Sequence, residues 1–397
     1  MGREYRVDLT IFPVNCHLNR PKLKLIANQP NVWLLIFLLS ITGCQSSSPD
    51  VDRASEVSRL DTQLVLNNAV LEQSNRKSNT VWKIKADKIV YSEDKEIATL
   101  NKVVGNLLQN GAVILKISAE SGEVKDQGNI ILLNKKVVAS DLRNGSVITS
   151  EAVEWRPQAN LLLIKAKLTG NNANLEVFAE SGKYFTDLEN LEIQNNVIAT
   201  SKQPPLQLTS DRLEWNIPQK QIISPGAIKL VRYDQNQTII DQLVSDRAEL
   251  RLAENKAILN KNIELVTSDP QLQIATDALI WNYQTRLGKT DRPIQIIDRD
   301  RQISLTGNKG ELNLPQQLAK LKDGVKGINQ IEASELYARQ MNWKIDTEEL
   351  EAMGSVIYEQ VDPKARLTGE KASGTLGNSK IVVTSNGQQP VTSVIDN

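Results

Sequence analysis

The chain has 397 residues, 40% hydrophobic and 24% charged, with 47 basic and 47 acidic side chains. That length admits two or three ordinary domains or one long array, and the even charge balance gives no field to draw in nucleic acid, so no nucleic-acid partner is expected. Histidine and cysteine are almost absent: His17 and Cys16 lie in the first 43 residues, and Cys44 stands alone after them.

The N-terminus reads as an export signal. Arg3, Arg6, Arg20, Lys22 and Lys24 precede the unbroken apolar run Val32 to Leu39, and Ile41-Thr42-Gly43-Cys44 closes it. An apolar core of about ten residues is too short to span a bilayer and suits the h-region of a signal peptide. The closing tetrapeptide resembles the bacterial lipobox, which makes residues 1–43 a lipoprotein signal peptide and Cys44 the lipidated residue. Residues 44–61, beginning Gln45-Ser46-Ser47-Ser48-Pro49, then form a polar tether. Once the leader is removed no histidine or second thiol remains, so a Cys/His zinc site, a Ser-His-Asp triad, a Cys-His dyad and an internal disulfide are all excluded. No cofactor, metal site or enzymatic activity is expected.

From residue 62 onward one pattern recurs. A small residue precedes an acid or its amide at Asp87, Glu120, Glu151, Glu180, Asp211, Asp246, Asp277, Asn308, Glu335 and Glu370, at gaps of 27 to 35 residues. Self-similarity at such a period marks a repeat protein. Four residues after the anchor stand Tyr91, Val124, Trp155, Tyr184, Trp215, Leu250, Trp281 and Leu312; Arg339 and Gly374 break the series in the last two units, as terminal repeats often do.

Within a unit, β-branched residues alternate with polar ones and are punctuated by Pro, Gly and Asn, the signature of half-buried antiparallel strands. Each unit supplies about two strands, and only Glu332 to Arg339 offers a weak helical pattern. At the anchors the buried phase shifts, from Ile148 to Val153 and Trp155, from Leu208 to Leu213 and Trp215, and from Ile274 to Leu279 and Trp281. A β-bulge produces such a shift and bends the strand, so the small-acid pair is expected to mark a recurring bend with the acid turned to solvent or to a backbone amide. Ten carboxylates in register are a weaker basis for a cation or substrate site, because Asn308 replaces one of them. Burying a Trp contributes up to about 4–6 kcal/mol, enough to explain Trp155, Trp215 and Trp281 as core residues; the same row could line an apolar groove.

No G-x-S-x-G, G-x-G-x-x-G or H-E-x-x-H occurs. Gly288-Lys289-Thr290 echoes the end of a phosphate loop, but Tyr283 occupies the place of its first glycine. The architectural rival is a parallel β-helix of the carbohydrate-active kind, and the variable unit length favours antiparallel pairing over it.

The segments Leu64 to Gln73, Trp82-Lys-Ile-Lys-Ala-Asp87, Tyr91, Ala98 to Gly105, Gly111 and Ile117-Ser-Ala-Glu120 resemble the LptC family, and the later units resemble the related LptA/OstA repeat. The resemblance implies an all-β fold, an elongated antiparallel β-jellyroll of about ten two-strand repeats over residues 62–397, as one long jellyroll or two stacked. It implies a periplasmic, membrane-anchored component of lipopolysaccharide export whose interior, at Tyr91, Val124, Trp155, Tyr184, Trp215, Leu250, Trp281 and Leu312, holds lipid A acyl chains. It further implies edge-strand docking to LptF/LptG-type membrane subunits and to an LptA-type bridge protein. The family role places it at the inner membrane, whereas Gln45 would direct it to the outer membrane by the familiar enterobacterial rule. The chain departs from the family in its roughly doubled repeat length and its lipid anchor in place of a transmembrane helix. A lipoprotein scaffold with a packed, ligand-free core remains the alternative.

Overall fold

The computed structural model describes residues 63–75, 79–375, 380–385 and 391–395. Cys44, the leader and the tether lie outside these residues. Among the described residues the regular structure is strand, with three short 3-10 turns, and all 28 strands join one antiparallel sheet. Each pass of the chain pairs with the pass before and the pass after it, so the sheet is a meander. Ser334–Lys344 is a strand, so the weak helical pattern at 332–339 gave way to its period-2 burial.

Hairpin turns separate the passes. Between Ala98–Gln109 and Ala112–Lys125 the loop is Asn110-Gly111 with φ of 51° and 82°, the two-residue geometry that matches strand twist and that Asn-Gly adopts readily. Each pass also changes direction at its middle. Some passes break outright, as between Leu161–Ile164 and Leu168–Asn172 or between Leu287–Thr290 and Ile294–Asp298. Others stay paired and carry an extra residue: the register slips at Asn134/Val137, Gln194/Val197, Asn260/Ile263, Lys322/Val325 and Met353/Val356.

The bulge lies one strand away from the anchor acid. Asn260 pairs with Ala278 and Ile263 with Thr276, so Lys261 and Asn262 together face Asp277. Both bulge residues are left-handed (φ 67° and 48°), as are Lys135-Lys136, Asn195-Asn196, Asp323-Gly324 and Gly354-Ser355. The anchors bind these doublets. Glu120 pairs with Lys136 at 2.6 Å, and Glu180 and Asp246 accept the side-chain amides of Asn196 and Asn262 at 2.6 and 2.7 Å. Asp87 holds Lys102 in the same way at 3.2 Å. The Lys136 bond is the main influence holding the Glu120 carboxyl below its ordinary range.

The small residue ahead of the anchor points into the bend, and its hydroxyl, where present, caps carbonyls that the bend releases. Ser245 donates to the Arg247 carbonyl at 2.8 Å, Ser210 to that of Ala227 at 3.0 Å and Thr276 to that of Pro293 at 2.8 Å. A buried carbonyl without such a donor would cost about 1–3 kcal/mol.

One anchor was misplaced by the sequence pattern. Lys322 pairs with Gln340 and Val325 with Ala338, so the residue facing the Asp323-Gly324 doublet is Arg339, and Glu335 lies four residues short of the bend. With Arg339 as anchor both flanking gaps become 31 residues, Ala338 supplies the small residue, and Trp343 takes the place four residues on. The aliphatic base of Arg339 covers Gly354, where an added Cβ would meet it at 2.9 Å. The ninth unit is therefore regular, and only the tenth departs, with Gly374.

The bends bring each half of a pass against the opposite half of another pass. Trp155, in a half that follows its anchor, lies against Gly105, on the other side of the bends: a Cβ on Gly105 would stand 3.0 Å from the Trp155 ring. The Trp82 and Trp155 rings meet across the same gap at 6.4 Å with a 59° tilt, a favoured aromatic geometry. This produces an interior between two sheet faces, as expected for a β-jellyroll.

Asn262 provides the test of the bend. Asn262→Val should lower stability by about 1–2 kcal/mol, the cost of a left-handed β-branched residue, while Asn262→Gly changes it by a few tenths. Urea unfolding midpoints decide it, and equal midpoints for the two variants would refute the left-handed requirement.

Candidate functional site

The eight sequence-selected residues form one continuous row. Reading across the sheet, directly opposed pairs run Tyr91 to Ala98, Val124 to Ile131, Trp155 to Leu162 and Tyr184 to Leu191, then Trp215 to Ile222, Leu250 to Ala257, Trp281 to Gly288 and Leu312 to Ala319. Ala319 then opposes Trp343, which extends the row by one member. Val124, Trp155, Tyr184, Trp215, Leu250, Trp281 and Leu312 are buried, and Tyr91 is half-buried at the margin. Gly288 belongs to this row: a Cβ there would stand 3.0 Å from the Trp281 ring, so its glycine makes room for an indole rather than a phosphate.

The row is not uniform. Trp155, Trp281 and Trp343 are 1% exposed or less and packed on all sides. The indole N–H groups of Trp155 and Trp343 have no hydrogen-bond partner, a penalty that their apolar burial offsets. Trp215 and Leu250 instead line a cavity of about 600 Å³ together with Ile222. Its opposite wall is made by Leu175, Ala199, Leu206, Leu208 and Leu230, from the halves on the other side of the bends, and Tyr283 adds an aromatic wall. Burial pushes the Tyr283 phenol up to about 12.

The rest of the lining comes from hairpin turns: Asn172 to Asn174 and Gln203-Pro204 on one face, Pro218, Lys220, Leu252 and Asn255 on the other. The cavity therefore opens between two rows of hairpin tips, on the side away from the bends.

Acid–arginine clasps join those tips. Asp141, 2% exposed, takes two bonds from the Arg143 guanidinium, one of them at 3.0 Å, and accepts the Tyr184 hydroxyl at 2.8 Å from the facing half. Arg143 also donates to the Thr186 carbonyl at 2.5 Å and pairs with Glu189 at 3.5 Å. Burial opposes the Arg143 charge, and the Asp141 bond overrides it and holds the guanidinium above its ordinary value. Burial, with Asp141 beside it, pushes the Tyr184 phenol far up. In the second clasp Asp241 receives Arg286 at 2.7 and 3.1 Å and Arg232 at 3.4 Å. In the third Arg301 bridges Asp298 and Glu348, both at 2.8 Å. Partners across the gap stand 43, 45 and 47 residues apart, so each half faces the opposite half of a pass about three earlier.

Sequence reasoning missed the opposite wall and the clasps. Leu208 and Leu230 carried the other buried phase, which was visible, but nothing in the repeat linked it to Trp215. Among the described residues no group of three or more His, Cys, Asp or Glu side chains is placed to hold a metal, and no helix is long and apolar enough to cross a membrane. The arrangement can exclude water from an elongated apolar guest and leave the guest's polar end among the hairpin tips.

Packing separates two members of the row in a measurable way. Trp155→Ala should cost about 3–5 kcal/mol, whereas Trp215→Ala, whose ring already borders open space, should cost roughly 1–2 kcal/mol. Urea denaturation of the two variants decides it, and a Trp215 loss as large as that of Trp155 would mean that the cavity wall is packed core.

Comparison with known proteins adds one family. The family model described as "Lipopolysaccharide-assembly, LptC-related" matches residues 32–162 and 207–330. No curated protein matches the sequence significantly. Among solved structures, apo AztD from Citrobacter koseri aligns over 79% of this chain and 98% of its own at 8% identity, with a TM-score of 0.12 that carries no argument about fold or function. With well over half of its length matched in two segments, and with the antiparallel jellyroll interior those segments build, the chain belongs to the LptC-related family of lipopolysaccharide-assembly proteins.

Proposed function

We propose that the protein is a periplasmic bridge component of lipopolysaccharide export, which accepts lipopolysaccharide from the inner-membrane ABC transporter and passes it along its apolar interior. The observation that carries this reading is the 600 Å³ cavity walled by Trp215, Leu230 and Leu250 and open between the hairpin tips. Its volume lies within the roughly 300–1,000 Å³ of ligand pockets, and each buried methylene of an acyl chain would contribute about 0.8 kcal/mol. Lipid A acyl chains occupy the interior in this reading, with the saccharide outside. The remaining row residues Tyr91, Val124, Trp155, Tyr184, Trp281 and Leu312 line the path that the chains follow as neighbouring side chains repack. No catalytic residue or cofactor is needed, because the ATPase supplies the energy.

Partner docking rests on the sheet edges. Among the described residues Val65–Asn75 pairs along one side only, with Thr80–Tyr91, and Lys380–Thr384 and Thr392–Ile395 pair only with Ala365–Thr375. An open edge can continue a neighbour's sheet by main-chain hydrogen bonds. The first edge suits the jellyroll of LptF/LptG-type subunits and the last an LptA-type protein. Residues 1–43 act as the signal peptide, and lipidated Cys44 on the 44–61 tether holds the protein at the inner membrane.

Photocrosslinking tests the conduit. A photoreactive residue in place of Leu230 should capture lipopolysaccharide in cells, and one in place of Ile280, 49% exposed on the outer face, should not. Capture from Ile280 with none from Leu230 would favour a scaffold with a ligand-free core. Metabolic palmitate labelling tests the anchor: label present on the full chain should vanish in Cys44→Ala, and an unlabelled full chain would exclude lipidation.

A further inference from the structure

The cavity mouth carries a chemical preference beyond its apolar walls. Of the side chains lining the cavity only Arg143, Glu189 and Lys220 are charged, against the five amides of Asn144, Asn172, Asn174, Gln203 and Asn255. Arg143 is not free to bind an anion. Its Nε and Nη2 donors go to Asp141 and to the Thr186 carbonyl, and its Nη1 faces Glu189. Glu189 also receives the Asn144 amide at 2.5 Å. Arg143 and Lys220 are thus matched in charge by Asp141 and Glu189, and Lys220, exposed at a hairpin tip, is the one cation lining the cavity, among the described residues, that no carboxylate holds.

A phosphate-bearing headgroup is ordinarily recognised by several converging cations, above all by free arginine forks. This mouth offers one solvated lysine and an arginine already occupied by carboxylates. It does offer amides at the right place: the side chains of Asn174 and Gln203 are exposed at neighbouring turns on one face of the mouth and, among the described residues, make no hydrogen bond. Amides both donate and accept, which matches the hydroxyls of a sugar.

We infer that the mouth selects a glycolipid whose headgroup is hydroxyl-rich and carries little or no phosphate. Phosphate groups on the guest then add no affinity, because they meet no cation that is not already paired or fully hydrated. The inference rests on the proposed function, since it names the headgroup of the guest whose chains fill the cavity.

Two probes with identical acyl chains separate the possibilities: bis-phosphorylated lipid A and its dephosphorylated form, each presented in the same detergent micelles to the full chain carrying a photoreactive residue at Leu230. The half-saturating concentration for crosslinking is read at low and at high salt. The dephosphorylated probe should bind at least as tightly as the phosphorylated one, within a threefold margin, with little dependence on salt. A preference for the phosphorylated probe above threefold at low salt would overturn the inference while leaving the conduit intact. Crosslinking of neither probe would overturn the conduit reading and the inference with it. The variant Asn174→Lys/Gln203→Lys, changed only at exposed turns, should gain a salt-sensitive preference for the phosphorylated probe of tenfold or more. A variant that binds the dephosphorylated probe but gains no such preference would show that these turns do not contact the headgroup, and would also overturn the inference.

Discussion

Every pass of this chain has to fold over at its middle, and the rest of the molecule follows from how that is done. A flat meander of this length would leave one apolar face in water. Bending each strand lets its two halves bury that face against neighbouring passes. The bend needs three things at once: a small inward residue so that the halves can approach, a left-handed doublet to absorb the extra residue, and hydrogen bonds for the carbonyls that leave the ladder. Ala179, Ser245 and Thr276 meet the first need, Asn195-Asn196 and Lys261-Asn262 the second, and the hydroxyls of Ser210, Ser245 and Thr276 the third. The anchor acid is the outermost of these devices. It holds the doublet's side chain from the solvent side, which is why an ion pair at Glu120 and a hydrogen bond from an amide to Asp246 serve equally.

That hierarchy explains what the sequence showed and what it hid. The row from Tyr91 to Leu312 was legible because a buried position four residues after a bend is strongly constrained in size and polarity. Glu335 was misread because the acid is the least constrained element of the unit, so Arg339 can replace it while Ala338 and Trp343 keep their places. The position of the bulge was legible only to within one strand, since the phase shift appears in the anchor strand and the left-handed doublet in its partner. Asn-Asn and Lys-Asn pairs were the available signal, and they look like ordinary turn residues when no partner strand is assigned.

Contacts across the interior were illegible for a different reason. The twist of the sheet offsets the two halves by about three passes, so Tyr184 meets Asp141 and Arg286 meets Asp241 at separations near one and a half repeats. No periodicity in the sequence reports such a separation. The same offset decides which members of the aromatic row are packed. Trp155 faces Trp82 and Gly105, and Trp215 faces the cavity, although the two local repeats read alike.

The unusual length can then be related to the cavity. Each of the two matched segments, 32–162 and 207–330, holds an indole buried in packed interior, Trp155 in the first and Trp281 in the second. Residues 163–206 between them contribute the turn at Asn172 to Asn174, Leu175, Ala199 and the turn at Gln203-Pro204 to the cavity. The ladder crosses this stretch without interruption, from Leu162 through Tyr184 and Leu191 to Trp215. Two independently closed jellyrolls would each need a capped end there, with polar residues covering the last pair of strands. The continuous sheet removes that need, and the cavity lies where residues 163–206 connect the two matched segments. The clasps at Arg143 and Arg286 tie hairpin tips together across the gap beside it.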